Sequence, residues 1–140
     1  MIYGIGTDLI NSKRVEKLLI KFGEKFLFKV FSNKEIDNSK NSYNKALYFS
    51  KRFAGKEAFW KAISPNKDNI LHFNEIEILS NNNGKPYINL IGMTKNKVTN
   101  LEKSLNCTFN FHISISDEKP YVNLIGMTKN NVANLDEQEK

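Results

Sequence analysis

Between Tyr43 and Ile63 the chain has no proline and a single glycine, Gly55, and Pro65 follows shortly after. Such a run predicts one long helix that ends before the proline. Within it Phe49, Phe53, Glu57 and Trp60 fall four, four and three residues apart and therefore share one face. A carboxylate inside an aromatic stripe must sit at the helix edge, be paired, or bind a metal, because burying it unpaired costs several kcal/mol. Lys61, one turn further on, offers a plain i,i+4 partner, worth only about 0.3–0.5 kcal/mol on a surface.

The elements before and after this helix have different periods. Ile2 to Ile10 alternates like a strand, with Gly4, Gly6 and Asp8 on one face. The two glycines leave its backbone open to close approach. Asp8 has two readings at this point, a site residue at a strand end or a cap for the helix that starts near Asn11. That helix carries Val15, Leu18, Leu19 and Phe22, with Gly23 as its stop. Short helices are expected over Glu24 to Val30 and after Ser32, where Ser32 and Glu35 make a capping-box pattern. Beyond the long helix, Glu75 to Leu79 and Tyr87 to Ile91 read as strands joined by a turn at Asn83-Gly84, and Phe109 to Ser116 as a last strand. A first strand, several helices and then antiparallel strands make an α+β fold.

The 140 residues suit a single domain, and 40% hydrophobic with 26% charged residues is a globular mix. No segment approaches the roughly 20 apolar residues of a membrane span. The opening MIYGIGTDLI has neither a basic leader nor a small-residue cleavage site, so a cytoplasmic protein is expected. One cysteine, Cys107, excludes an internal disulfide, and two histidines cannot build a zinc cage. The net charge of +6 favours phosphate-bearing ligands, nucleic acids, anionic membranes or acidic proteins as partners. Lys13, Lys17 and Lys21, with Arg14 alongside, form a basic row on the first helix opposite its apolar face. That row is either a solvated stripe or a docking surface.

Lys85 to Leu101 (KPYINLIGMTKNKVTNL) recurs 34 residues later as Lys119 to Leu135 (KPYVNLIGMTKNNVANL) with three differences. Two copies are too few for a solenoid, and the polar Thr-Lys-Asn run is copied along with the apolar positions. A local duplication explains both facts. The acidic end, 136–140, is expected to be a disordered tail, leaving 1–135 as one domain.

Two segments together carry a specific resemblance. Gly4, Ile5, Gly6 and Asp8, followed by a helix, and Arg52, Phe53, Ala54, Lys56, Glu57, Ala58, Phe59 and Lys61 resemble the signature regions of the holo-acyl-carrier-protein synthases, the small phosphopantetheinyl transferases. GKPY at Gly84 to Tyr87 and HISIS at His112 to Ser116 resemble two further segments in the family's order. The Gly-Ile-Gly is no dinucleotide fingerprint, since Leu9 stands where a third glycine belongs.

The resemblance implies the 4′-phosphopantetheinyl transferase fold and a Mg²⁺ ion held by Asp8 and Glu57. It also implies transfer of phosphopantetheine from coenzyme A to a serine of an acidic acyl carrier protein, in fatty acid biosynthesis. Lys61 becomes a fixed charge on the phosphates, Arg52 and His112 bind substrate, and Lys13, Arg14, Lys17 and Lys21 dock the carrier. Family members are homotrimers with sites between subunits, so the same is expected here, with no nucleic-acid or membrane partner. Two departures stand out. Ser64-Pro65-Asn66 replaces a Gly-Thr-Gly turn near the coenzyme A phosphates, and the second copy falls where the family has a closing strand of small apolar residues. Tyr121 to Ile125 can form that strand, weakened by Asn123 and Gly126. The alternatives are an impaired relic of the family and a basic nucleic-acid-binding module, although no RNP or GXXG element is present.

Overall fold

Helix α4 (Lys45–Ile63) is the element on which the others pack. The structure, a computed structural model, describes residues 1–67, 70–118 and 121–131, from 117 onward by backbone alone. The end of the second copy and the expected tail lie outside the described residues. α4 starts where the Asn44 side chain accepts the Leu47 N–H, so Tyr43, expected inside the helix, precedes the cap and is exposed. It stops where Ser64 turns left-handed, at φ 50°, just before Pro65. Phe49, Ala54, Ala58, Phe59, Ala62 and Ile63 are all buried, so the helix is enclosed on more than the one face its aromatic spacing suggested.

Around it run β1 (Ile2–Gly6), α1 (Ser12–Phe22), α2 (Glu24–Val30), α3 (Asn33–Ser39), β2 (Ile76–Ser80), β3 (Pro86–Leu90), α5 (Gly92–Ser104), β4 (Cys107–Glu118) and β5 (Tyr121–Asn131). β1, β5 and β4 form an antiparallel sheet in that order, and β2 with β3 forms a separate hairpin. The fold is α+β, as expected. One apolar cluster joins the C-terminal half of α4 to Ile76 and Ile78 of β2, Val98 of α5, and Cys107 and Phe109 of β4. A second joins Phe49 and Ala54 to Ile10, Val15, Val30 and Phe31.

Several boundaries differ from expectation. β1 ends at Gly6 rather than Ile10, because Ile10 is drawn into the second apolar cluster. Glu75 lies in a 3-10 turn before β2, and Ile91 caps α5 rather than ending β3. β4 runs longer than Phe109 to Ser116, and β5 continues past Gly126 to Asn131, sustained by pairing on both edges.

A buried ion pair ties four segments together. The Lys56 ammonium on α4 donates to Glu35 Oε1 of α3 at 2.6 Å and to the carbonyls of Phe73 and Ile76 at 2.8 and 2.5 Å, which uses all three of its protons. Glu35 also accepts from the N–H groups of Ser32 (3.0 Å) and Ile78 (3.1 Å), and its carbonyl accepts from Tyr48 Oη (2.8 Å). The capping box legible at Ser32 and Glu35 is therefore real, and the same carboxylate anchors α4 and β2. Burial pulls the Lys56 ammonium below the ordinary lysine range, and the Glu35 charge works against that pull.

Helix α5 was not expected, and the duplication shows why. Gly92 to Asn96 (GMTKN) opens α5, whereas the identical Gly126 to Asn130 lies inside strand β5. Local sequence cannot distinguish them. The first copy is helical because a distant carboxylate caps it: Glu75 accepts from Met93 N–H (2.9 Å), Thr94 N–H (3.3 Å) and Thr94 Oγ1 (3.0 Å). The residue at the cap position, Ile91, provides no side-chain bond of its own.

Replacing Glu35 by Ala leaves the Lys56 ammonium buried and unpaired, and a loss of about 3–5 kcal/mol in urea unfolding is expected. Adding Lys56→Met in that background is expected to recover part of it. Glu75→Ala is expected to cost about 1–2 kcal/mol by loss of the cap, with faster amide exchange confined at first to Met93 and Thr94.

Candidate active site

Small residues bring a strand and a helix into backbone contact. A methyl group at Gly6 would overlap the Ala58 carbonyl, and one at Gly4 would overlap the Ala62 carbonyl. The open backbone read from the sequence is thus filled by α4 itself, glycine on β1 against alanine on α4. This close approach places Asp8, just beyond the strand end, beside the middle of α4.

Lys61 Nζ donates to Asp8 Oδ1 at 3.1 Å and to the Thr7 carbonyl at 3.0 Å. Lys61 thus reaches across to Asp8, and the plain pairing along its own helix is not the main contact. Asp8 is not the cap of α1, because Asn11 fills that role by accepting from the Lys13 N–H. Glu57 faces the same spot. Partial burial raises its pKa first, the nearby Asp8 charge raises it further, and Lys61 and Arg14 oppose the rise. Asp8, Glu57, Lys61 and Arg14 therefore form one electrostatic cluster.

The oxygen-rich character of this cluster decides which metal it suits. Among the described residues no group of three His, Cys, Asp or Glu side chains could hold a metal. Two carboxylates are what Mg²⁺ ordinarily takes from a protein when substrate phosphates and waters complete its shell. A cationic group, the Lys61 ammonium, already rests on one of those carboxylates. Beside Glu57 opens a cavity of about 460 Å³, with Val30, Trp60, Leu71 and Phe73 among its lining and Lys29 and His72 at its polar edge. Phe53 and Trp60, flanking Glu57 on the stripe, both meet the Phe73 ring edge-on. The sequence reading missed this cavity, since Leu71, His72 and Phe73 carry no local signal.

The remaining expected residues lie elsewhere in the chain. Arg52 is nine residues before Lys61, about half a turn round α4 and roughly 13 Å along it. Its guanidinium stacks 3.5 Å over the Tyr48 ring and donates to the Tyr48 carbonyl (3.3 Å), while its buried Nε has no hydrogen-bond partner among the described residues. His112 lies exposed on β4, paired across β5 at Gly126. Its neighbours Phe111 and Ile113 pack toward α4, so His112 is on the opposite face of the sheet from Glu57. Neither Arg52 nor His112 reaches the Asp8–Glu57 pair within one chain. Lys13, Arg14, Lys17 and Lys21 are all exposed on α1, as the helical row predicts. Ser64, Pro65 and Asn66 line a separate cavity of about 140 Å³ together with Tyr3, Lys97 and Leu101. Ser64 there adopts the left-handed turn that glycine would take at lower cost.

A strand-end aspartate beside a mid-helix glutamate and lysine on an α+β scaffold fits the signature regions quoted above, and the comparisons agree. The chain belongs to the 4′-phosphopantetheinyl transferase superfamily, whose family model matches residues 4–122. Within that superfamily its similarity is to holo-acyl-carrier-protein synthases. A protein of that name from Wolbachia pipientis subsp. Culex pipiens is 42% identical over 122 residues, 84% of this chain and 90% of the relative. The crystal structure of holo-ACP-synthase from Plasmodium yoelii superposes with a TM-score of 0.74 at 31% identity, covering 94% of this chain and 97% of that one. The ACPS–CoA complex of Chronobacterium ammoniagenes gives a TM-score of 0.76 at 26% identity, covering 91% and 96%.

Changing Asp8 to Asn removes the like charge next to Glu57 and frees Lys61 to approach it, and both effects favour the ionised form. The Glu57 carboxyl of Asp8→Asn is therefore expected to titrate at lower pH than in the unaltered protein, read from its ¹³C chemical shift. A raised carboxylate pKa means that the fold disfavours the charged form, so the Glu57 contribution opposes stability above its unfolded pKa. That opposition should shrink in Asp8→Asn.

Proposed function

We propose that this chain transfers the 4′-phosphopantetheine group of coenzyme A to a serine of apo acyl carrier protein. The products are the holo carrier and adenosine 3′,5′-bisphosphate. The observation that supports this most directly is the convergence of Asp8, Glu57 and Lys61 at one point in a chain of this superfamily. Relatives named holo-acyl-carrier-protein synthase and a neighbour solved with coenzyme A give the substrate pair.

In this reading the serine oxygen bonds to the pantetheine-side phosphorus and gives its proton to the surrounding water, the bond from that phosphorus to the bridging oxygen breaks, and the bisphosphate carries the electron pair away. Asp8 and Glu57 hold Mg²⁺, which when bound neutralises charge on the pyrophosphate. Lys61 offers a second positive charge to the same phosphates, and in such reactions positioning and charge neutralisation do most of the catalysis. The cavity beside Glu57 gives the flexible pantetheine arm an apolar wall. The basic row of Lys13, Arg14, Lys17 and Lys21 adjoins the site through Arg14 and suits an acidic carrier. Its effect would appear chiefly in association rate and salt dependence.

Arg52 and His112 serve substrate only if a neighbouring subunit supplies them, which supports a homotrimer with shared sites. The buried Nε of Arg52 and its open surroundings beside Asn41, Ser42 and Asn44 suit an anionic ligand approaching from outside the chain. Residues 1–135 act as one domain. Among the described residues no helix is long and apolar enough to cross a membrane, and we place the protein in the cytoplasm, in fatty acid biosynthesis.

The test is to incubate the purified protein with apo carrier, coenzyme A and Mg²⁺ and to weigh the carrier. Addition of one phosphopantetheine is expected, and its absence at saturating substrate would overturn the activity. Asp8→Ala and Glu57→Ala are expected to lower the rate about 100-fold or more. Mixing the inactive Arg52→Ala and Glu57→Ala proteins under exchange conditions should restore part of the rate, because some interfaces then carry both native residues. Failure to complement would refute the shared site while leaving the transferase reading intact.

A further inference from the structure

The Lys61 head group sits where a metal ion would be expected to sit. Its two contacts, Asp8 Oδ1 at 3.1 Å and the Thr7 carbonyl at 3.0 Å, are oxygens of the kind a hard cation takes. We propose that Lys61 is a resident stand-in for the divalent ion: it occupies Asp8 Oδ1 when no metal is bound and must leave it before the metal can enter. This rests on the reading that Asp8 and Glu57 hold the metal.

Charge and exposure both support a group that comes and goes. Two carboxylates share the spot, with Arg14 and Lys61 as the cations that bear on Glu57, and without a cation close by the carboxylates repel each other. The Lys61 ammonium relieves that repulsion whenever no metal is bound. Once a dication is present, the same ammonium next to it becomes a like charge. Its side chain is 53% exposed, against 18% for Asp8, so the lysine can swing into water at little cost while the aspartate stays fixed. Lys56, five residues earlier on the same helix, shows the contrasting design: fully buried, with every proton committed, it cannot move.

A coupling between ligands follows. An anionic substrate that attracts Lys61 clears Asp8 for the metal, so a phosphate-bearing ligand and the ion should each strengthen the binding of the other, by equal factors. The metal-free site would stay closed to divalent ions at low concentration of the anionic substrate. Lys61 would thus act on metal affinity as well as on the phosphates.

The experiment measures Mn²⁺ binding to the full chain by the paramagnetic resonance of free Mn²⁺, without carrier and with or without coenzyme A. Without coenzyme A, Lys61→Met is expected to bind Mn²⁺ about 10-fold tighter than the unaltered protein, within the usual range of such couplings. Coenzyme A should tighten Mn²⁺ binding in both proteins, because its phosphates also join the ion's shell, and by the larger factor in the unaltered protein, where it also draws Lys61 off Asp8. Thermal melting of Lys61→Met checks that it is folded. In the unaltered protein the Lys61 ε-methylene resonance should shift when Mg²⁺ saturates the site, a readout that needs no substitution. Unchanged or weaker Mn²⁺ binding by folded Lys61→Met, or a still ε-methylene resonance, would overturn the stand-in. Asp8→Asn and Glu57→Gln identify which idea has failed. If they weaken Mn²⁺ binding while Lys61→Met does not tighten it, the metal site stands and the stand-in falls. If they leave it unchanged, the metal site itself falls and takes the stand-in with it.

Discussion

The Lys56 ammonium has no route to water, and three segments of chain end on it. Glu35 meets it from α3, the Phe73 carbonyl from the 3-10 turn, and the Ile76 carbonyl from the first residue of β2. An unpaired charge at that depth would be far costlier than any surface interaction, so these partners have to arrive together or the core cannot close. The pair therefore fixes how α3 and the β2–β3 hairpin sit against α4. Phe73, held by its own carbonyl, then meets Phe53 and Trp60 on either side of Glu57 and shapes the wall of the cavity there.

The candidate site depends on a second constraint, the absence of side chains. Gly4 and Gly6 let β1 lie directly on the carbonyls of Ala62 and Ala58, and Asp8 follows from that contact. Among the described residues β1 has only β5 as a sheet neighbour, so the position of Asp8 also depends on the duplicated segment, which provides the middle strand between β1 and β4. The two lysines of the signature helix divide the work. Lys56 is locked into the core and holds the scaffold, whereas Lys61, one helix face away, is exposed and carries its charge at the site.

The duplication is an internal control on how far local sequence determines structure. The same five residues begin a helix at Gly92 and continue a strand at Gly126. Neither glycine nor threonine favours a helix strongly, so the outcome falls to long-range partners. Glu75 supplies the missing cap in one case, and strands β1 and β4 supply hydrogen bonds on both sides in the other.

By itself the sequence determined the elements with strong local causes. The proline-free run before Pro65, the Gly23 stop, the Ser32–Glu35 capping box and the Asn83-Gly84 turn each have a backbone reason within a few residues, and each was found where expected or within two residues of it. The signature segments also single out Asp8, Glu57 and Lys61. Only the tertiary structure decided that Lys61 rests on Asp8, that Glu35 serves Lys56 as well as its own cap, that α5 exists, and that Arg52 and His112 stand apart from the Asp8–Glu57 pair of their own chain. The physical reason is the same in each case. A cap or a turn is settled by neighbours in sequence, but a charge is settled by whatever the fold brings within a few ångströms, and those partners lie 17 to 53 residues away along the chain.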